Sequence, residues 1–267
     1  MFGMPRSKRP RPVSKNKGPK ESSMICISGD IHGHLSARRL NNDNVRLACG
    51  GDFPSHVIIL GDFGLVWAAV GSADDKTDKY WRDWLDEKPW ITLSTIGNHE
   101  NYERIYQLPL VDLYGGKAYK VSDRIYFLQH GHVFTIEGKT FFNFGGALSI
   151  DKEQRVNRIS WWEEEIPTRA DWARGNESLE KVKNTVDYVI THTAPKEAIK
   201  VIKHRLPFYE TDYFDLKMVD PTVPMLDAFI EQGLTFKTHF FGHFHLEKDF
   251  NVGGRNYSAM YESLKTI

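Results

Sequence analysis

The sequence predicts an α/β fold, and three observations lead there. Short apolar runs recur along the chain, each ending in a polar or glycine-containing loop: Met24 to Ser28, Val57 to Leu60, Ile91 to Ile96 and Val186 to Ile190. Segments of helical character lie between and after them, so strand and helix alternate. The stretch from Ile125 to Phe144 breaks that alternation, with strand-like runs punctuated by Gly131 and Gly138. Such a stretch reads as antiparallel hairpins of a second sheet.

In chain order, the first segment stands apart. From Met1 to Lys20 there are seven Lys or Arg, four Pro and no acid. It cannot bury enough apolar surface to order itself, so residues 1–22 are expected to be a disordered basic tail and residues 23–267 the folded domain. Lys8 to Pro12 reads as a solvated extension, with a nucleic-acid contact or a localisation patch as the alternative. Within the folded body, the four apolar runs read as buried strands. Asp78 to Glu87, Leu179 to Thr185, Lys196 to Lys203 and Val223 to Glu231 read as helices.

Composition narrows the class. A 267-residue chain of 30.8 kDa with 40% hydrophobic and 26% charged residues can support one large core and is neither fibrous nor disordered. No apolar run approaches the roughly 20 residues of a membrane-spanning helix, and no apolar h-region follows the N-terminus. The expectation is a cytoplasmic protein without a membrane partner. A formal charge of +0 provides no whole-protein attraction to nucleic acid. Cys26 and Cys49 are spaced neither as a disulfide framework nor as a zinc pair and are expected to be structural.

Five short patterns fall at strand-to-loop junctions, where α/β folds place their ligand sites. They are Gly29-Asp30-Ile31-His32-Gly33-His34, Gly61-Asp62-Phe63-Gly64, Gly97-Asn98-His99-Glu100, Thr191-His192-Thr193 and Gly242-His243-Phe244-His245. Each alone is an ordinary turn; their occurrence together is not. If the last is extended, His243 and His245 project from one side. Imidazole and carboxylate donors without thiolate suit Mn, Fe, Zn or Ni in a catalytic setting.

These patterns resemble the signature of the calcineurin-like metallophosphoesterases and span Asp30 to His245. The resemblance implies a four-layer α/β/β/α sandwich of two mixed sheets flanked by helices. It implies two divalent metal ions, manganese foremost, with Asp30, His32 and His245 on one, Asn98, His192 and His243 on the other, and Asp62 bridging. It also implies hydrolysis of phosphomonoesters or small phosphodiesters, nucleotides among them, by a metal-bridging hydroxide, with His99 as general acid or substrate orienter. A nuclease of the same superfamily, using the basic tail, and a metal-binding scaffold without catalysis are the alternatives.

The pattern also departs from relatives that dephosphorylate proteins. Leu65 and Val66 follow Gly64, and Ile96 precedes Gly97, so the two arginines that clamp phosphoserine there are missing, as is an acidic partner for His99. Glu100 is adjacent in sequence, and His34 reads either as a solvated loop residue or as a substrate contact. Gly145 to Asp151, followed by Trp161-Trp162 and Glu163 to Glu165, resembles a bacterial and phage branch of the superfamily. The two glycines read as a hairpin turn or a tight loop near the metals, the tryptophans as core packing. Arg38, Arg39 and Arg104 are candidate phosphate contacts but read as surface arginines and are assigned no role in the site.

Overall fold

The computed structural model describes residues 23–203 and 220–267. The basic tail read at residues 1–22 lies outside the described residues. Every apolar run expected to be a strand is one: β1 (Ile25–Ser28), β2 (His56–Ile59), β3 (Ile91–Ser94) and β9 (Tyr188–Thr191). With β4 (Leu110–Leu113), β5 (Gly116–Lys120), β6 (Ile125–Leu128) and β13 (Leu264–Thr266), the first three form a seven-stranded sheet in the order β13-β1-β2-β3-β6-β5-β4. A six-stranded sheet runs β11-β12-β10-β9-β8-β7, from β7 (His132–Ile136), β8 (Lys139–Phe144), β10 (Thr238–Phe241), β11 (Lys248–Val252) and β12 (Arg255–Ala259).

Strand alternation explains the layering. In β1, Ile25 and Ile27 face the second sheet while Cys26 faces away; in β2, Ile58 faces inward while Val57 and Ile59 face out. The inward set meets Phe141, Ile190 and Phe240 of the other sheet in one apolar layer. Outside the first sheet, Val45 of α1 (Asn42–Ala48), Leu85 of α2 (Ala73–Asp86) and Ile105 of α3 (Tyr102–Tyr106) close a second layer. Outside the other sheet, Leu179 of α4 (Arg169–Lys181) and Phe229 of α6 (Thr222–Glu231) pack on Phe142 and Phe144. Ala198 and Ile202 of α5 (Lys196–Ile202) pack near Phe241. This is the expected sandwich of two mixed sheets flanked by helices.

Two expectations need correction. The helix read at 179–185 ends at Lys181 and begins at Arg169, where Thr168 and Asp171 form a capping box. Lys183 and Asn184 adopt left-handed φ of 54° and 53°, which stops the helix. Gly175, which weakens that helix by propensity, leaves room for the Phe229 ring. The Ile125–Phe144 stretch is also divided between the sheets: β7 and β8 are the expected antiparallel hairpin, whereas β6 pairs parallel with β3.

Both cysteines are buried and free. No helix among the described residues is long and apolar enough to cross a membrane.

Candidate metal centre

The parallel strands β1, β2, β3, β9 and β10 all end on the same edge of the sandwich, and each of the five patterns begins there. The loops bring all seven candidate donor residues into one cluster. His245 Nε2 lies 3.3 Å from Asp30 Oδ2, and donor atoms of Asp30, His32 and His245 lie within 4.8 Å of one another. On the other side, Asn98 Oδ1 sits 2.9 Å from His192 Nε2 and 3.0 Å from His243 Nδ1. Asp62 stands between: Oδ2 is 3.4 Å from His32 Nε2, and Oδ1 is 3.2 Å from His192 Nε2.

The backbone is strained where it matters. His32, Asp62, His243 and His245 adopt left-handed φ of 50°, 50°, 66° and 50°. Such conformations cost of order 1 kcal/mol or more for non-glycine residues and persist where surrounding structure forces them. The last pattern is therefore not extended, and simple alternation does not explain its convergence: Phe244 N donates to Gly242 O at 2.7 Å in a tight turn. The turn sends His243 to Asn98 and His245 to Asp30.

The glycines preceding these residues have a packing reason. A Cβ on Gly97 would overlap Asp62 Oδ1, and one on Gly242 would overlap Asp30 Oδ1. The third and fifth patterns thus leave space for the carboxylates of the second and first, and Gly61 leaves space for the His192 ring.

Burial and charge set the ionisation. Asp30, Asp62 and His192 are fully or almost fully buried. Burial alone would raise the Asp62 pKa, but His192 and His99 outweigh it and hold the carboxyl well below its usual range. Burial works against a charged His192, yet Asp62 and Asp30 lift it to about 9. Burial drives His243 well below the usual imidazole value. Two carboxylates, an amide oxygen and four imidazoles, with Asp30, Asp62, Asn98 and His192 buried, His32 and His243 partly buried, His245 open to solvent and no Lys or Arg among them, have the charge and donor chemistry for divalent cations.

Further groups brace this cluster. Asn98 Nδ2 donates to Ser149 Oγ at 3.0 Å, and Ser149 Oγ donates to Glu165 Oε2 at 2.5 Å. Glu165 Oε1 accepts from Ser149 N at 2.9 Å. With its Nδ2 engaged, Asn98 turns Oδ1 toward the imidazoles. Glu100 faces the second pattern, accepting from Phe63 N at 2.6 Å, and burial raises its pKa well above the carboxylate range. It is not a partner for His99. Arg39 donates to the Asp30 carbonyl and sits over Tyr261, which stacks on His245 at 4.4 Å. Arg39, read as a surface residue, thus supports the centre; Arg104 pairs with Asp75 and Arg38 lies over Trp81. His34 is exposed.

The Gly145-Gly146 segment is the tight loop rather than a hairpin turn. Gly146 N donates to Ile96 O at 2.7 Å, two residues before Asn98. Trp162 is core, as expected, whereas Trp161 is only partly buried and belongs to no core cluster among the described residues.

His99 lies at the rim, its ring 5.8 Å from that of His32 and 6.5 Å from Trp67. Burial lowers its pKa, Asp62 opposes, and Arg155 lowers it further. Arg155 Nη2 is 3.4 Å from His99 Nε2. Sequence reasoning passed over Arg155 because no pattern surrounds it, and over Ser149 and Glu165 as individual residues although they stand within noted segments.

Comparison with known proteins agrees with the architecture. No protein with a curated description matches the sequence. One similar structure is a Staphylococcus aureus protein with a provisional 5′-nucleotidase assignment, solved with alpha-ketoglutarate, at 13% identity and TM-score 0.51. The alignment covers 91% of this chain but 50% of that one, so this chain spans about half its length. Plasmodium GAP50, the anchor in the inner membrane complex, matches at 10% identity and TM-score 0.47 over 89% of this chain and 71% of that one. The Mycobacterium tuberculosis phosphopantetheinyl hydrolase PptH matches at 13% identity and TM-score 0.40, over 90% of each chain. At these identities the first likeness shows the fold alone. The model of the calcineurin-like phosphoesterases matches residues 24–247, which contain all five patterns, and the chain belongs to that family.

Proposed function

We propose that the chain hydrolyses phosphomonoesters or small phosphodiesters, nucleotides among them, at a centre holding two divalent cations. The observation that carries this reading is the pair of donor groups on either side of Asp62. Asp30, His32 and His245 would hold one cation, Asn98, His192 and His243 the other, with Asp62 shared. When bound, such a pair supplies Lewis acidity toward the phosphoryl group and lowers the pKa of the attacking water. Manganese is our first choice, with iron, zinc or nickel compatible with the same donors.

The chain's own residues do the rest. Asp62, ionised across the neutral range, supplies the shared negative charge. The Glu165-Ser149-Asn98 relay keeps Asn98 Oδ1 aimed inward. His99, outside the donor groups we assign, passes a proton from Nε2 to the leaving alkoxide. Burial holds its imidazole neutral in the free protein, and an arriving phosphate anion favours the imidazolium, so proton uptake follows substrate.

The test is hydrolysis of p-nitrophenyl phosphate and bis-p-nitrophenyl phosphate by metal-stripped protein, with Mn, Ni, Zn or Mg added back. Metal-dependent turnover abolished in Asp62→Ala supports the reading, and the preferred ester separates monoesterase from diesterase. Bound metal without turnover of these esters or of a nucleic acid would favour a scaffold.

A further inference from the structure

This chain carries Val66 and Ile96 where protein-dephosphorylating relatives carry arginine, so an added cation for the phosphoryl oxygens has to come from another part of the chain. One guanidinium reaches the rim from a different segment. Arg155 follows the short helical turn Lys152–Gln154, and its side chain is 19% exposed. Its Nε donates to Asp151 Oδ1 and its Nη2 to Asp151 Oδ2, both at 2.7 Å. Nη1 donates to Ser160 O at 3.1 Å. This fork fixes the guanidinium plane and leaves the second Nη2 hydrogen toward His99.

On that side Nη2 lies 3.4 Å from a nitrogen, His99 Nε2. That separation is long for a hydrogen bond between them, and it suits two donors serving neighbouring oxygens of one phosphoryl group. A permanently charged guanidinium has a far better partner in a phosphate oxygen than in an imidazole.

We propose that Arg155 binds substrate: Nη2 donates to a non-bridging phosphoryl oxygen beside the leaving-group oxygen served by His99. This rests on the phosphoesterase reading and deepens it. An added cation attracts a dianion more strongly than a monoanion, so Arg155 biases the site toward phosphomonoesters over phosphodiesters. Asp151 holds the guanidinium in position and partly offsets its charge.

The experiment measures inorganic phosphate binding to metal-loaded protein by calorimetry, beside kinetics on both nitrophenyl esters, for wild type, Arg155→Ala, Arg155→Lys and Asp151→Asn. Arg155→Ala is expected to weaken phosphate binding about tenfold or more and to raise KM for the monoester by a similar factor. The diester should be affected less. Arg155→Lys, which cannot form the fork, should show a smaller loss, and it is the variant to judge if Arg155→Ala does not fold. Asp151→Asn should keep or tighten phosphate binding. Phosphate affinity within twofold of wild type in both Arg155 variants overturns the proposal. So does an equal loss in Asp151→Asn, which would mark the pair as structural. Wild type that binds metal and phosphate but cleaves neither ester sinks the phosphoesterase reading, while Arg155 is still judged by phosphate affinity. Wild type that binds no phosphate sinks both.

Discussion

The inner cluster and its rim are built on different principles. Inside, Asp30, Asp62, Asn98 and His192 are buried, held by strand ends and left-handed turns, and spaced by glycines that admit nothing larger. At the rim, His99 and Arg155 meet loosely, and the segment that carries Arg155 exposes Ile150, Val156 and Ile159. The difference teaches that over-determined geometry belongs to the proposed cation donors. The rim has the looser packing of groups that must admit a substrate.

The sharpest way to break that contrast is Asp62→Ala. Removing the shared carboxylate should lower metal affinity more than about a hundredfold, beyond what outlying hydrogen-bond partners produce. Metal content after dialysis checks it, and full retention of metal would end Asp62's central role. Next in size is His99→Gln. If the rim acts on substrate, turnover should fall roughly 10²- to 10⁴-fold with metal content unchanged. Loss of metal in that variant would move His99 into the inner cluster, where its nearness to Asp62 and His32 makes it a possible donor.

A smaller effect sharpens the boundary between the two regions. Ser149→Ala and Glu165→Gln break the relay behind Asn98 without touching the proposed donors. Each should weaken metal binding about 10- to 100-fold, read by competition with a chelator. An unchanged affinity in Ser149→Ala would mean that the Asn98 amide is held by the imidazoles alone.

What could be read in advance follows the same division. The α/β class and the interior strands β1, β2, β3 and β9 were legible because buried parallel strands are apolar runs and their polar ends stand out. Strands β4, β11 and β12 were not. Leu110 is exposed, and β11 alternates polar residues at the sheet's edge, so the apolar signal is weak. Among candidate site residues, the inner seven sit in short fixed patterns. The left-handed turn at His243 to His245 was hidden, because φ is chosen by tertiary packing rather than by residue type. Arg155 was hidden for a simpler reason: its relation to His99 spans 56 residues and no local pattern encodes it.

The smallest predicted effect concerns acid stability, away from the donors. His130 is buried, its Nδ1 accepting from Gly145 N at 3.0 Å, and burial lowers its pKa from 6.5 to about 4. Between those values the unfolded chain binds a proton that the folded chain does not, so stability rises with pH across that window. The stabilising contribution is present above 6.5 and is lost as pH falls toward 4. Between pH 7 and 5.5 the loss from this residue is about 1 kcal/mol. His130→Asn keeps an acceptor near Nδ1 and cannot titrate. Urea unfolding of metal-free protein at the two pH values should show a shallower decline for the variant, by about that amount. An identical decline would shift the acid sensitivity to His239, which burial lowers to about 3, or to His132, which burial lowers to about 4; His192, raised to about 9, acts in the opposite sense.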